Sequence, residues 1–116
     1  MTLALGIDPG TATTGYGLVR LMRDGELVAV SYGIISTPKD ATPPARLEML
    51  FDRLNDLLKQ HKPDTAAVEK LFFQSNVKTA LAVGQARGVV MLCLQKAGIE
   101  PFEYTPNEVK QAVAGY

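Results

Sequence analysis

Two acids each close an apolar run in this chain. Asp8 ends Leu3-Ala4-Leu5-Gly6-Ile7 and is followed at once by Pro9-Gly10 and Thr11-Ala12-Thr13-Thr14-Gly15-Tyr16-Gly17; Glu69 ends Thr65-Ala66-Ala67-Val68. A carboxylate at the end of a buried strand is too costly to bury without a partner. If the two runs are neighbouring strands, the acids meet at one edge of a sheet, and two like charges there need a cation. Hard oxygen donors without a nearby Cys or His pair select Mg2+, with Mn2+ able to substitute, over Zn2+. Two such ions roughly 4 Å apart would activate a water and stabilise a leaving oxygen in phosphodiester hydrolysis. The plainer alternative is that Asp8 caps the Pro9-Gly10 turn and Glu69 is a surface acid.

The elements that must position these acids can be read from the pattern. Residues 3–8 form a buried strand, and residues 14–22 a second, rich in β-formers (Tyr16, Leu18, Val19, Leu21). Arg23-Asp24-Gly25 supplies a tight turn, because Asp-Gly suits positive φ angles. A third strand covers residues 27–36, with Val28, Val30, Tyr32 and Ile34 alternating along one face. Three strands on short links make an antiparallel meander. After a proline-bearing loop, Leu47, Leu50, Phe51, Leu54, Leu57 and Leu58 recur at helical steps, and Pro63 stops that helix near His61. The short strand 65–69 follows, then a long helix over about 75–97 whose polar positions Lys78, Gln85 and Lys96 share a narrow stripe. Ala80, Gly84 and Gly88 leave a smooth ridge on it, and two glycines inside a helix, each costing about 1 kcal/mol, suggest that another backbone packs closely. Residues 100–104 make a last strand, and Thr105-Pro106-Asn107-Glu108 starts a last helix. The order predicts one α/β domain: a five-stranded mixed sheet with helices on both faces.

Composition narrows the class. The chain has 116 residues, 47% of them hydrophobic, and its twelve basic side chains balance twelve acidic ones, so the footprint of a free-standing nucleic-acid binder is missing from the total. Basic character leans to the second half: residues 1–58 carry a net −2 and residues 59–116 a net +2. The only cysteine, Cys93, lies in an apolar run and reads as core. No run is expected to reach the apolar length of a membrane span, and the N-terminus lacks the zones of a signal peptide, so a cytoplasmic protein is expected.

Four segments in order, Gly6-Ile7-Asp8-Pro9-Gly10 with Thr14-Gly15-Tyr16-Gly17, Ala67-Val68-Glu69-Lys70-Leu71-Phe72, Gly84-Gln85-Ala86-Arg87-Gly88, and Val109-Lys110-Gln111, resemble the RuvC family of bacterial Holliday junction resolvases. The resemblance implies an RNase H-like fold, a homodimer paired along the long helix, and Mg2+-dependent nicking of four-way DNA junctions in recombination and repair. It implies that Asp8 and Glu69 are metal-binding catalytic carboxylates and that Lys110 stands near the scissile phosphate. It implies too that Phe72, with Phe73 able to share the task, stacks on a base near the crossover. Lys70, Asn76 and Arg87 are candidate DNA contacts, with Gln85 and Arg87 alternatively holding the dimer or orienting the metal-site loop. A branch-migration motor complex is the implied partner.

The family completes its site with further acidic or histidine ligands on a later helix, preceded by a basic loop. After Lys110 this sequence offers no carboxylate, so residues 1–116 are expected to form a single domain lacking both features, with an incomplete site. Two other functions remain open. One is a non-catalytic module that binds junctions or dimerises. The other is an ATP-binding domain of the sugar kinase, Hsp70 and actin class, in which Asp8-Pro9-Gly10-Thr11 would lead into a phosphate-cradling hairpin; that class needs a second domain and does not require Glu69.

Overall fold

The computed structural model describes residues 2–10, 12–69 and 77–104. They form β1 (Thr2–Asp8), β2 (Thr13–Leu21), β3 (Leu27–Ser36), α1 (Pro43–His61), β4 (Thr65–Glu69), α2 (Val77–Lys96) and β5 (Pro101–Tyr104). One five-stranded sheet runs in the order β3-β2-β1-β4-β5. The first three strands are the expected antiparallel meander, while β4 joins β1 in parallel and β5 joins β4 in parallel. This mixed sheet is RNase H-like. The helix expected from Thr105 lies outside the described residues.

Local chemistry sets the breaks between elements. Between β2 and β3, Gly25 takes φ +88, its N–H reaches the Met22 carbonyl at 3.0 Å, and Asp24 Oδ1 accepts from the Glu26 N–H at 2.9 Å. The β2–β3 register shifts between Leu18 and Val19, leaving Val30 as an extra residue. This bulge corrects the expected alternation: Tyr32 and Ile34 share a side of the sheet, whereas Val28 falls on the other. Thr42 caps α1 by accepting from the Ala45 N–H at 3.3 Å, with prolines in the first turn, where their missing N–H groups cost no helical bond. At the other end Lys62 adopts a left-handed conformation (φ 48) before Pro63. Helix α2 ends on Gly98 (φ +75), with the Ile99 N–H bonded to the Leu94 carbonyl at 2.9 Å, a Schellman closure.

The core lies on one side of the sheet. Leu3, Leu5 and Ile7 of β1, Leu18 of β2, Ile35 of β3 and Ala66 and Val68 of β4 pack with Leu50, Leu54 and Leu58 of α1 and Ala86, Val90, Cys93 and Leu94 of α2. Removing a side chain such as Leu54 from water contributes about 2 kcal/mol. Both described helices therefore cover the same face. Burial raises the Cys93 thiol to about 11, which fits the expected packing role and leaves it inert.

Helix α2 departs from the expectation that nothing in the chain is apolar enough to span a membrane: by length and composition it qualifies, with a mean hydropathy of 1.4. A core helix of a soluble protein meets the same criterion. Its inner side feeds the core, and its outer side leaves Val77, Leu81 and Leu92 exposed. A Cβ added at Gly84 or Gly88 meets nothing within 4 Å, so the close approach inferred from these glycines is not made among the described residues.

Candidate active site

The site grows from the strand register. Gly6 pairs with Ala67 and Ile7 with Val68, so Asp8 and Glu69 continue the same ladder side by side, on the sheet face opposite the helices. The β1–β4 pairing is anchored at its other end by Asp64, whose Oδ2 accepts from the Leu3 N–H at 2.8 Å and whose own N–H donates to the Leu3 carbonyl at 2.8 Å. Past Asp8 the chain turns tightly: a Cβ at Gly10 would stand 2.2 Å from the Thr13 carbonyl oxygen, which only glycine avoids.

The carboxyls of Asp8 and Glu69 interact directly. A hydrogen bond to Asp8, helped by desolvation and the Asp8 charge, lifts the Glu69 carboxyl from its ordinary 4.5 to about 7. Asp8 is exposed rather than buried, so the strain at this site is like-charge proximity at a strand end and not desolvation of Asp8. Two carboxylates side by side offer hard oxygen donors, the chemistry that suits Mg2+ or Mn2+. Among the described residues no group of three or more His, Cys, Asp or Glu could hold a metal.

Around the acids the open face is smooth. Ile34, Gly15, Asp8, Glu69 and Tyr104 form one row across the strands, and Tyr32, Gly17, Gly6, Ala67 and Phe102 the next. On the β2 side of the acids and in the next row the described floor is Gly15, Gly17, Gly6 and Ala67, so among the described residues backbone rather than a large side chain lies there. Tyr32, Ile34 and Phe102 rise at its flanks, 84%, 66% and 64% exposed.

Of the other expected site residues, Lys70, Phe72, Phe73, Asn76 and Lys110 lie outside the described residues. Arg87 is described, and its guanidinium turns toward the sheet to pair with Glu103 of β5, 17% exposed, which leaves little of it for a phosphate. Gln85 is exposed on α2 beside a cleft of about 140 Å3 that Gly10, Thr14, Thr37 and Arg46 also line. In that cleft Arg46 Nε donates to Thr37 Oγ1 at 3.0 Å, tying α1 to the end of β3. Sequence reasoning missed Asp64 and Glu103. Asp64, just before a strand that must pair with the chain's first strand, was a readable cap; Glu103 carried no signal until the strand order was known.

The sequence comparisons agree with one another. The family described as crossover junction endodeoxyribonuclease RuvC matches residues 4–116. The RuvC protein of Chloroflexus aggregans is 55% identical over 114 residues, covering 97% of this chain and 68% of that protein. That of Moorella thermoacetica is 53% identical over 114 residues, covering 98% of this chain and 68% of its own length. Among solved structures, Thermus thermophilus RuvC bound to a Holliday junction superposes with a TM-score of 0.88 at 28% identity, over 97% of this chain and 71% of that one. A yeast mitochondrial Holliday junction resolvase shares the fold alone, with a TM-score of 0.65 at 16% identity over 97% of this chain and 57% of that one.

Proposed function

Since the chain belongs to the RuvC family of crossover junction endodeoxyribonucleases, we propose that it serves to nick four-way DNA junctions by metal-dependent phosphodiester hydrolysis during recombination and repair. The observation that carries this reading is the β1–β4 register, which sets Asp8 and Glu69 side by side at one end of the sheet on the face opposite the helices. Both carboxylates hold divalent metal, Mg2+ by preference with Mn2+ able to substitute. When bound, that metal supplies an activated water and a counter-charge for the leaving oxygen. With its carboxyl raised to about 7 in the metal-free state, Glu69 would hold the ion in its ionised form, so metal binding would release a proton near neutrality. The glycine floor lets a DNA backbone approach the acids without a side chain in the way.

Phe72 stacks on a base at the crossover with Phe73 beside it, Lys110 places a positive charge near the scissile phosphate, and Lys70 and Asn76 contact the backbone. Two copies pair along α2: the exposed Val77, Leu81 and Leu92 and the open Gly84 and Gly88 supply an apolar ridge with room for a second helix. A two-fold dimer presents two sites to two strands of like polarity, as symmetric cleavage of a junction requires. The protein works in the cytoplasm, with a branch-migration motor complex as partner.

The test compares nicking of a mobile four-way junction in Mg2+ by a chain extended to the relatives' length with its Asp8→Asn and Glu69→Gln forms. Loss of cleavage by at least about a thousandfold in each is expected if both acids hold the ion. Cleavage that survives both substitutions overturns the metal reading. Junction binding without cleavage by the unsubstituted protein would favour the non-catalytic module.

A further inference from the structure

The Arg87–Glu103 pair is a poor device for stability. Arg87 is mostly buried while its partner is 44% exposed, and among the described residues the buried Arg87 Nε meets no hydrogen-bond acceptor. A guanidinium held mostly buried against a half-exposed carboxylate contributes little to stability, and its value is in specifying geometry. The register shows which geometry. Strand β5 is only four residues long, lies at the sheet edge and is parallel to β4, so its own ladder fixes it weakly. Glu103 stands opposite Val68 on the helix-covered face, and the next pair in the ladder is Tyr104 opposite Glu69. Arg87 reaches Glu103 from α2, where it lies between Gly84 and Gly88 in sequence.

We propose that Arg87 and Glu103 are positioning residues: their ion pair locks β5 in register against β4, and so fixes the strand end on which Glu69 meets Asp8. The same contact ties the helix that carries the outward glycine ridge to the metal-bearing edge, joining the two parts of the molecule that a paired nuclease must coordinate. This inference rests on the reading of Asp8 and Glu69 as metal-holding acids. It also separates Arg87 from a phosphate contact, since a strut acts on metal and turnover, whereas a phosphate contact acts on the salt dependence of DNA binding.

The experiment measures Mn2+ affinity by calorimetry and four-way junction binding by anisotropy over a salt series, for the chain and its Arg87→Met and Glu103→Gln variants. Weakening of Mn2+ binding by about 10- to 100-fold in both, with an unchanged salt slope, is expected, as for groups that orient a metal ligand from behind. The exchange Arg87→Glu with Glu103→Arg should bring Mn2+ affinity back to within about threefold, the signature of a direct pair. Unchanged Mn2+ affinity in a folded Arg87→Met protein overturns the proposal, as does a salt slope reduced by about one, which would make Arg87 a phosphate ligand. Should Arg87→Met fail to fold, Glu103→Gln, which keeps the side-chain shape, decides alone. An Asp8→Asn variant that binds Mn2+ as tightly as the parent would instead overturn the metal-site premise.

Discussion

Removing the Asp8 carboxylate should make this protein more stable at neutral pH when no metal is present. The Glu69 carboxyl moves from 4.5 to about 7 on folding, chiefly through its hydrogen bond to Asp8. Between those values the folded state holds the proton more tightly than the unfolded chain does. The resulting stabilisation is complete below about pH 4.5 and is lost as pH rises through about 7. At 1.36 kcal/mol per unit the ceiling is about 3 kcal/mol. Glu69 is half-buried at an open strand end, and solvent screening lowers the usable figure to about 1–2 kcal/mol. Asp8→Asn removes the like charge and offers an amide N–H to ionised Glu69. The variant should therefore lose most of the pH slope and exceed the parent by about 1–2 kcal/mol at pH about 8. Urea unfolding of both proteins in chelator, across about pH 4 to 8.5, reads the two slopes directly. Parallel pH curves for parent and variant, or a parent that gains stability through this window, would refute the argument that the two carboxyls share a proton. Added Mg2+ should reverse the order at neutral pH, because only the parent retains both acids.

Two further substitutions test the scaffold. Gly10→Ala forces a methyl to within 2.2 Å of the Thr13 carbonyl and should cost about 1–3 kcal/mol, read as a lowered urea midpoint, while displacing the loop that follows Asp8. Leu54→Ala empties a site of 0% exposure between α1 and the sheet and should cost about 2–5 kcal/mol in the same assay; a loss below about 1 kcal/mol would place Leu54 outside the core.

Much of the site was legible because its acids end apolar runs, and strand ends are marked by sequence. The 65–69 strand, the Asp24-Gly25 turn and the α1 stripe follow from local chemistry, and each appears where the pattern puts it. The meeting of Asp8 with Glu69 was conditional on β1 and β4 being neighbours, a fact of topology that no local pattern contains. For the same reason the Arg87–Glu103 pair was hidden. Its partners are both strongly polar and sixteen residues apart, and only the placement of β5 beside β4 brings them together. The Val30 bulge was hidden for another reason: one extra residue in an edge strand leaves hydrophobicity unchanged while exchanging the faces of everything on one side of it. The exposure of Asp8 also escaped, since an acid closing a buried run reads as buried from the sequence alone.

The clamp between Leu3 and Asp64 joins residues 61 apart in the chain. Strand β1 emerges first during synthesis, yet its parallel partner arrives only after β2, β3 and α1 have been made. Non-local parallel pairing of this kind forms late and slowly. Asp8 therefore spends the early life of the chain without Glu69, and a half-made or locally unravelled molecule lacks the paired acids altogether. On the reading of Asp8 and Glu69 as metal-holding acids, a chain whose β1 and β4 have not yet paired has no place for the ion, so the same non-local pairing that completes the sheet also completes the site.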